Sequence, residues 1–363
     1  MTTVTIRDVK KFKKLDLHRH LGGDVNPATL IELIENSGMV IRYGNRKVIK
    51  TEEDIFRYLD YVKKRYGIEG ILTKGFRLVN SVMQTPYNLQ TVAYEEVRNL
   101  YLSKVVYAEV RFGPRKYSLE GFQSDHMKAE GTKIKAKNLI PVIKAISRGL
   151  LKGEKDFGVK TKIILSIGRD ASETDGLEIA KAAIATQRNN TVGIDISGNE
   201  AIHTAEPFLN AYKKTFTTKL YRTAHAGEFG PQKYSNMKFA INSLKCDRIG
   251  HAIDLAKYND LVSLVASRKI GIEMAPESNI FTGIIKNRRQ LKIMSLLKRG
   301  VKITLNSDNP ALFGYSLDDT IYRTAKEYSM NLHTLELLRK NSIDVSFTTP
   351  FEKEKLQELV ENR

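Results

Sequence analysis

Short apolar runs recur along the chain at Leu15 to His20, Val105 to Phe112, Thr161 to Ile167, Val192 to Ser197, Lys219 to His225, Arg248 to His251, Ile270 to Met274 and Val301 to Asn306. No other feature constrains the fold as strongly. Between most of these runs lie stretches of helical periodicity, such as Gly176 to Gln187 and Asp260 to Ser267. Strands that alternate with helices imply a parallel sheet, because the helix carries the chain back to the starting edge. Runs such as Lys162-Ile163-Ile164-Leu165 suit strands buried on both faces. Eight of them in 363 residues predict an α/β fold, the closed (β/α)8 barrel.

One connection is longer than a crossover requires. Residues 21–104 carry helix-like stretches near Pro27 to Asn36, Glu52 to Arg65, Ile68 to Val82 and Pro86 to Ser103. The segment leaves one barrel strand and enters the next. It therefore reads as an extra helical lid inserted after the first strand, over the C-terminal mouth, rather than as a separate helical domain. No repeat of fixed period, low-complexity tract or linker interrupts the chain, so residues 1–363 read as one domain.

Composition narrows the classes of function. At 41% hydrophobic and 28% charged residues the chain has an ordinary globular balance. It has no apolar run of membrane-spanning length. Met1 to Lys14 shows no signal-peptide pattern. A single cysteine, Cys246, excludes an intramolecular disulfide, and an intracellular, cytoplasmic location is expected. The formal charge of +18 raises the question of a nucleic-acid partner. The basic residues are dispersed, however; Lys10, Lys11, Lys13 and Lys14 are the densest run, and no nucleic-acid-binding motif lies beside them. A basic surface with consequences for solubility alone is one alternative, and attraction of a small anionic substrate is a milder use of the same field. The sequence carries no signal for oligomeric state.

Chemistry concentrates at the ends of the strand runs, where barrel active sites lie. The first run ends in His18-Arg19-His20. On a helix these histidines would sit ~200° apart, whereas on a strand alternate side chains share a face. Two converging imidazoles suit zinc; the plainer alternative is two unrelated polar residues ending a strand. Later runs end in Thr223-Ala224-His225-Ala226-Gly227-Glu228, in Arg248-Ile249-Gly250-His251-Ala252, in Pro276-Glu277-Ser278-Asn279, and in Thr304-Leu305-Asn306-Ser307-Asp308-Asn309-Pro310. The other three of the seven histidines, His126, His203 and His333, read as surface or packing residues.

This ordered set resembles the adenosine deaminase family, which includes adenine and AMP deaminases, within the amidohydrolase superfamily. The resemblance runs from His18 to about Gly314 and takes in Tyr107-Ala108-Glu109-Val110-Arg111-Phe112 and Gly193-Ile194-Asp195-Ile196-Ser197-Gly198. It implies that His18, His20, His225 and Asp308 bind one zinc ion per chain, which lowers the pKa of water. It implies that Glu228, its pKa raised by burial, protonates N1 of a purine and makes C6 electrophilic. Water then attacks C6 and ammonia leaves. Asp308 would take the proton from that water, and His251 would orient it and stabilise charge. Gly198 would bring its backbone N–H to a ring nitrogen, with His20 and Asn309 also against the substrate. Taken singly, His251 could be a satisfied core histidine, Glu228 a solvated residue and Gly198 a strand-ending turn. One cysteine excludes the other zinc nucleobase deaminases, which need a Pro-Cys-x-x-Cys pair.

Three positions stand apart. The family usually carries Asp or Glu after His-x-His-Leu, where this chain has Gly22. It often carries a second Asp after the ligand Asp, contacting N7, where this chain has Asn309. Arg19 is expected to point outward under the helix ring, where a guanidinium needs a partner. The expected activity is hydrolytic deamination of a small 6-aminopurine compound, adenosine to inosine plus ammonia, with tolerance of 5'-modified adenosines. The alternative in the same family is adenine, AMP or N6-methyl-AMP. Other readings are an amidohydrolase acting on an ester or amide, and a non-catalytic purine- or RNA-binding relative. Glu228 after His225, with no obvious bridging lysine on the fourth strand, favours the deaminase.

Overall fold

In the computed structural model, which describes residues 4–117 and 134–361, each apolar run becomes a strand. They are β1 (Lys14–His20), β2 (Val105–Phe112), β3 (Lys160–Gly168), β4 (Thr191–Ser197), β5 in two pieces (Tyr221–Arg222 and His225–Ala226), β6 (Arg248–His251), β7 (Gly271–Met274) and β8 (Lys302–Leu305). All neighbours pair in parallel, β1 through the first piece of β5 in one ladder and the second piece of β5 through β8 in another. The sheet closes where β8 meets β1. The Asp308 N–H donates to the His18 carbonyl at 2.8 Å, and the His20 N–H to the Asp308 carbonyl at 2.9 Å. The fold is a (β/α)8 barrel.

Two boundaries differ from the sequence reading. Lys219 to His225 was expected as one strand. Within it the chain changes partners: Thr223 N–H bonds Ile194 of β4, and the Ala224 carbonyl accepts from Gly250 of β6 at 2.8 Å. The helix expected from Gly176 starts earlier, at Glu173, because the Ser172 hydroxyl accepts from the Asp175 N–H at 3.1 Å and caps it.

Residues 21–104 hold four helices, α1 (Pro27–Asn36), α2 (Glu52–Gly70), α3 (Phe76–Val82) and α4 (Pro86–Leu102). Proline opens α1 and α4, and the side chains of Asn26 and Thr85 cap them. The break expected between Arg65 and Ile68 is a kink at Gly67, with φ of 66°, followed by a π turn over Ile71–Gly75. Val62 and Ile71 of this insertion pack on Phe313, with Leu59, Phe281 and Leu312 against them, so the insertion leans on the segments that follow β7 and β8. At the opposite end, Leu356 and Val360 of the last helix pack under Leu15, Leu17 and Tyr107. No helix among the described residues is long and apolar enough to cross a membrane.

Candidate active site

Strand alternation and barrel closure bring the histidines together. His18 Nε2 lies 3.1 Å from His225 Nε2, and His20 Nε2 lies 3.2 Å from the same atom. Asp308 Oδ1 stands 3.6 Å from His18 Nε2 and 3.3 Å from His20 Nε2. Asp308 sits in the left-handed region with φ of 64°, held there by its two backbone bonds to β1.

The tautomers show what this cluster can hold. His18 Nδ1 is 2.7 Å from Glu273 Oε2, and His225 Nδ1 is 3.1 Å from Asp195. A carboxylate only accepts, so both Nδ1 atoms carry a proton, and in neutral rings both Nε2 atoms are bare. Two bare lone pairs facing each other at 3.1 Å form no hydrogen bond. A cation reconciles them. Burial lowers the pKa of His18 and His20 well below the usual value, so a proton is a poor candidate. The donor set, three imidazole nitrogens and a carboxylate with carboxylates behind the imidazoles, fits a divalent metal.

Beneath the histidines runs a layer of buried charge. Arg111 bonds Glu273 at 2.7 Å and lies 3.4 Å from Asp195; Arg248 Nε reaches Glu273 at 2.5 Å and its other end pairs with Glu109. Burial alone would raise both acids. For Glu273, Arg111 and Arg248 outweigh it, and for Asp195, His225 and Arg111 do, so each is held at about 2. The sequence reading assigned none of these residues a role. Their signal was present as charges inside apolar strand runs, where burial forces pairing.

Across the pocket, His251 Nε2 stands 3.5 Å from Glu228 Oε1. The Asn279 amide donates to His251 Nδ1 at 3.0 Å, which puts the imidazole proton on Nε2. That atom has no hydrogen-bond partner among the described residues. Burial lowers the His251 pKa well below its usual value, and the ring is neutral. Burial, then the charges of Asp308 and Glu200, push Glu228 well above the usual carboxylate range, which favours its protonated form.

The remaining positions divide. Gly198 follows β4 with φ of 115°, a conformation that favours glycine, although a Cβ there would meet Arg169 only at an ordinary 3.5 Å. Asn309 turns its amide N–H onto Asp308 Oδ1 at 2.7 Å and leaves its own Oδ1 unpartnered among the described residues. His20 is the most open of the proposed ligands, its ring 6.4 Å from that of Phe76 at the start of α3. Arg19 does point outward: it pairs with Asp24 and with Glu96 of α4, and bonds Asp16 at 3.2 Å and Ser307 at 3.0 Å. His203 and His333 are exposed, and His126 lies outside the described residues.

A parallel barrel carrying imidazoles and an aspartate at the C-terminal ends of its strands suits a metal-dependent hydrolase. Within that class the chain belongs to the adenosine deaminase family, whose model matches residues 13–363. It is thus a hydrolase of the purine-aminohydrolase type. An adenosine deaminase from Clostridium botulinum (strain 657 / Type Ba4) is 26% identical over 352 residues, which are 97% of this chain and 99% of that protein. Two solved structures share the fold. An adenine deaminase from Arthrobacter aurescens superposes with a TM-score of 0.81 at 23% identity, over 96% of this chain and 98% of that one. An N6-mAMP deaminase from Arabidopsis gives 0.79 at 22% identity, over 98% and 99%.

Proposed function

We propose that this protein is a zinc-dependent hydrolytic deaminase of 6-aminopurine compounds, converting adenosine to inosine and ammonia. The observation that carries the reading is the meeting of three imidazole nitrogens and Asp308 opposite a buried Glu228. In this reading His18, His20, His225 and Asp308 would hold one zinc ion, which would act as a Lewis acid and make water nucleophilic at neutral pH. Glu228 gives its proton to N1 of the purine and draws electrons away from C6. Asp308 takes a proton from the attacking water, whose oxygen bonds C6. The bond from C6 to the amino nitrogen breaks as that nitrogen takes the proton from Asp308, ammonia leaves, and the proton still on the oxygen goes to Glu228, which leaves the C6 carbonyl and restores the acid. His251 directs its Nε2–H at the oxygen that adds to C6 and stabilises charge there. Gly198 faces the ring with its backbone N–H, and His20 and Asn309 line the base.

Residues 1–363 act in this reading as one cytoplasmic domain with residues 21–104 as a lid. Phe76, close to the His20 ring, supports the lid, because it lies at the open side of the cluster. Position 22 favours a second substrate arm. A carboxylate there would accept from a ribose 5'-hydroxyl and repel a phosphate, and Gly22 does neither. AMP or N6-methyl-AMP is therefore the second reading, with adenine beside it.

An amine-release screen, reading ammonia from adenosine, adenine, AMP and 5'-modified adenosines and methylamine from N6-methyl-AMP, with elemental analysis of the same preparation, tests the proposal. Adenosine and its 5'-modified forms should be turned over by protein holding one divalent metal per chain. Turnover of AMP or N6-methyl-AMP alone would move the reading to nucleotides. No ammonia or methylamine from any of them, or two metals per chain, would overturn it.

A further inference from the structure

The loop that carries Glu228 is itself held by a carboxylate that the proposed chemistry does not use. Glu200 lies in the loop after β4 and is 3% exposed. Its Oε1 accepts from the Phe229 N–H at 2.8 Å and from the Glu228 N–H. Its Oε2 accepts from the Gly227 N–H at 3.1 Å and from the Asn236 side-chain amide at 2.8 Å. Three successive backbone N–H groups aimed at one anion form a nest. Gly227, with φ of 77°, supplies the left-handed turn that points them the same way. Such nests commonly receive a ligand's anion. Here the occupant is a side chain from the neighbouring loop.

Arg169 completes the arrangement from the loop after β3. One guanidinium nitrogen donates to the His225 carbonyl at 2.7 Å and lies 3.8 Å from Glu200 Oε2; the other donates to the His203 carbonyl at 3.0 Å. The backbone of the proposed ligand His225, the loop bearing Glu200 and the Gly198 turn are thus fixed to one another. The segment between His225 and Glu228 has little freedom left, and its side chain is aimed at His251.

We infer that Glu200 is a positioning residue for the general acid, its carboxylate fixing the Gly227–Phe229 backbone so that Glu228 addresses the purine. The inference rests on the assignment of Glu228 above. Proton transfer demands hydrogen-bond reach between donor and acceptor, and a misplacement of ~1 Å can cost ~10²-fold in rate. A residue that acts in this way governs turnover more than substrate affinity.

The test is a cycle of Glu200→Gln and Glu228→Gln on the metal-loaded enzyme, with the best substrate of the amine-release screen. Glutamine keeps one acceptor, but puts an amide nitrogen where an oxygen met donors. For Glu200→Gln, kcat should fall ~10–100-fold with KM within about threefold and the metal content unchanged. In the double variant the Glu200 change should cost no more than about twofold beyond Glu228→Gln alone, because placing an absent acid has no value. Glu200→Asp, which keeps the charge with shorter reach, should recover part of the loss. If Glu200→Gln does not fold, Glu200→Asp carries the same cycle. Wild-type kcat in Glu200→Gln with an inactive Glu228→Gln overturns this inference alone. Losses that multiply in the double variant also overturn it, since they mark an independent structural role. Wild-type kcat in Glu228→Gln overturns the acid assignment itself and the inference with it.

Discussion

Glu273→Gln should loosen the metal without touching one of its proposed ligand atoms. Both oxygens of Glu273 are fully used. Oε2 accepts from His18 Nδ1 and from Arg111 at 2.7 Å each; Oε1 accepts from Arg248 at 2.5 Å and from the Thr223 hydroxyl at 3.0 Å. All four partners donate, so an amide nitrogen in either place faces two donors. Placed at Oε2, it takes away the acceptor that keeps the His18 proton on Nδ1, and His18 can then carry the proton on the atom that should bind metal. Outer-shell partners of this kind are worth ~10–100-fold in metal affinity, which is about 1.4–2.7 kcal/mol. Stability should fall as well, because a buried ion pair with one partner removed costs ~3–5 kcal/mol. The two effects separate by comparison with Glu109→Gln. Glu109 pairs with Arg248 and accepts from the Phe347 N–H at 2.6 Å, but among the described residues it is not hydrogen-bonded to any histidine. Chelator competition on folded protein should show weaker metal binding in Glu273→Gln and not in Glu109→Gln, while urea unfolding shows a loss in both. A folded Glu273→Gln that binds metal within about twofold of wild type would refute the argument from the tautomer.

Glu228→Gln should lower kcat by ~10²–10⁴-fold with the metal still bound, measured by ammonia release beside elemental analysis; retention of more than about half of kcat would exclude it as the acid. Gly22→Asp should raise the preference for adenosine over 5'-deoxyadenosine, since a hydrogen bond is worth ~0.5–3 kcal/mol, and the new Cβ would meet its nearest neighbours, Asn80 and Val79, at 3.6 Å, an ordinary contact. A wild-type preference for adenosine of about 100-fold or more would show that another residue reads the 5'-hydroxyl. Arg19→Met should destabilise the fold by ~3–5 kcal/mol in chemical denaturation, because it strips the cation from Asp16, Asp24 and Glu96; a loss below about 1 kcal/mol would mean that these acids share their protons without it.

The barrel was legible because a strand buried on both faces is a continuous apolar run, and the proposed ligands were legible because they end such runs. Caps explain the insertion equally well: Pro27 and Pro86 open helices where the sequence places them, and Gly67 breaks the chain between two helical patterns. The layer behind the ligands was not legible, for a physical reason. Periodicity tells which residues face inward, but not which inward residues meet. His18 and Glu273 are 255 residues apart, Arg111 and Glu273 are 162 apart, and only closure of the barrel joins them.

That closure also decides the charge of each buried acid. Glu273 and Glu228 are the same residue type and both are buried. Glu273 receives two guanidinium groups and is held at about 2. Glu228 faces Asp308 and Glu200, Arg169 does not offset them, and it is pushed well above the ordinary range. One becomes a fixed anion that sets the His18 tautomer, while the other is pushed towards its protonated form, as the proposed acid requires. Nothing local to either residue separates these states. The difference lies in where Arg111, Arg248 and Arg169 fall once eight strands have closed, so acid and anion in this site are assigned by topology as much as by residue type.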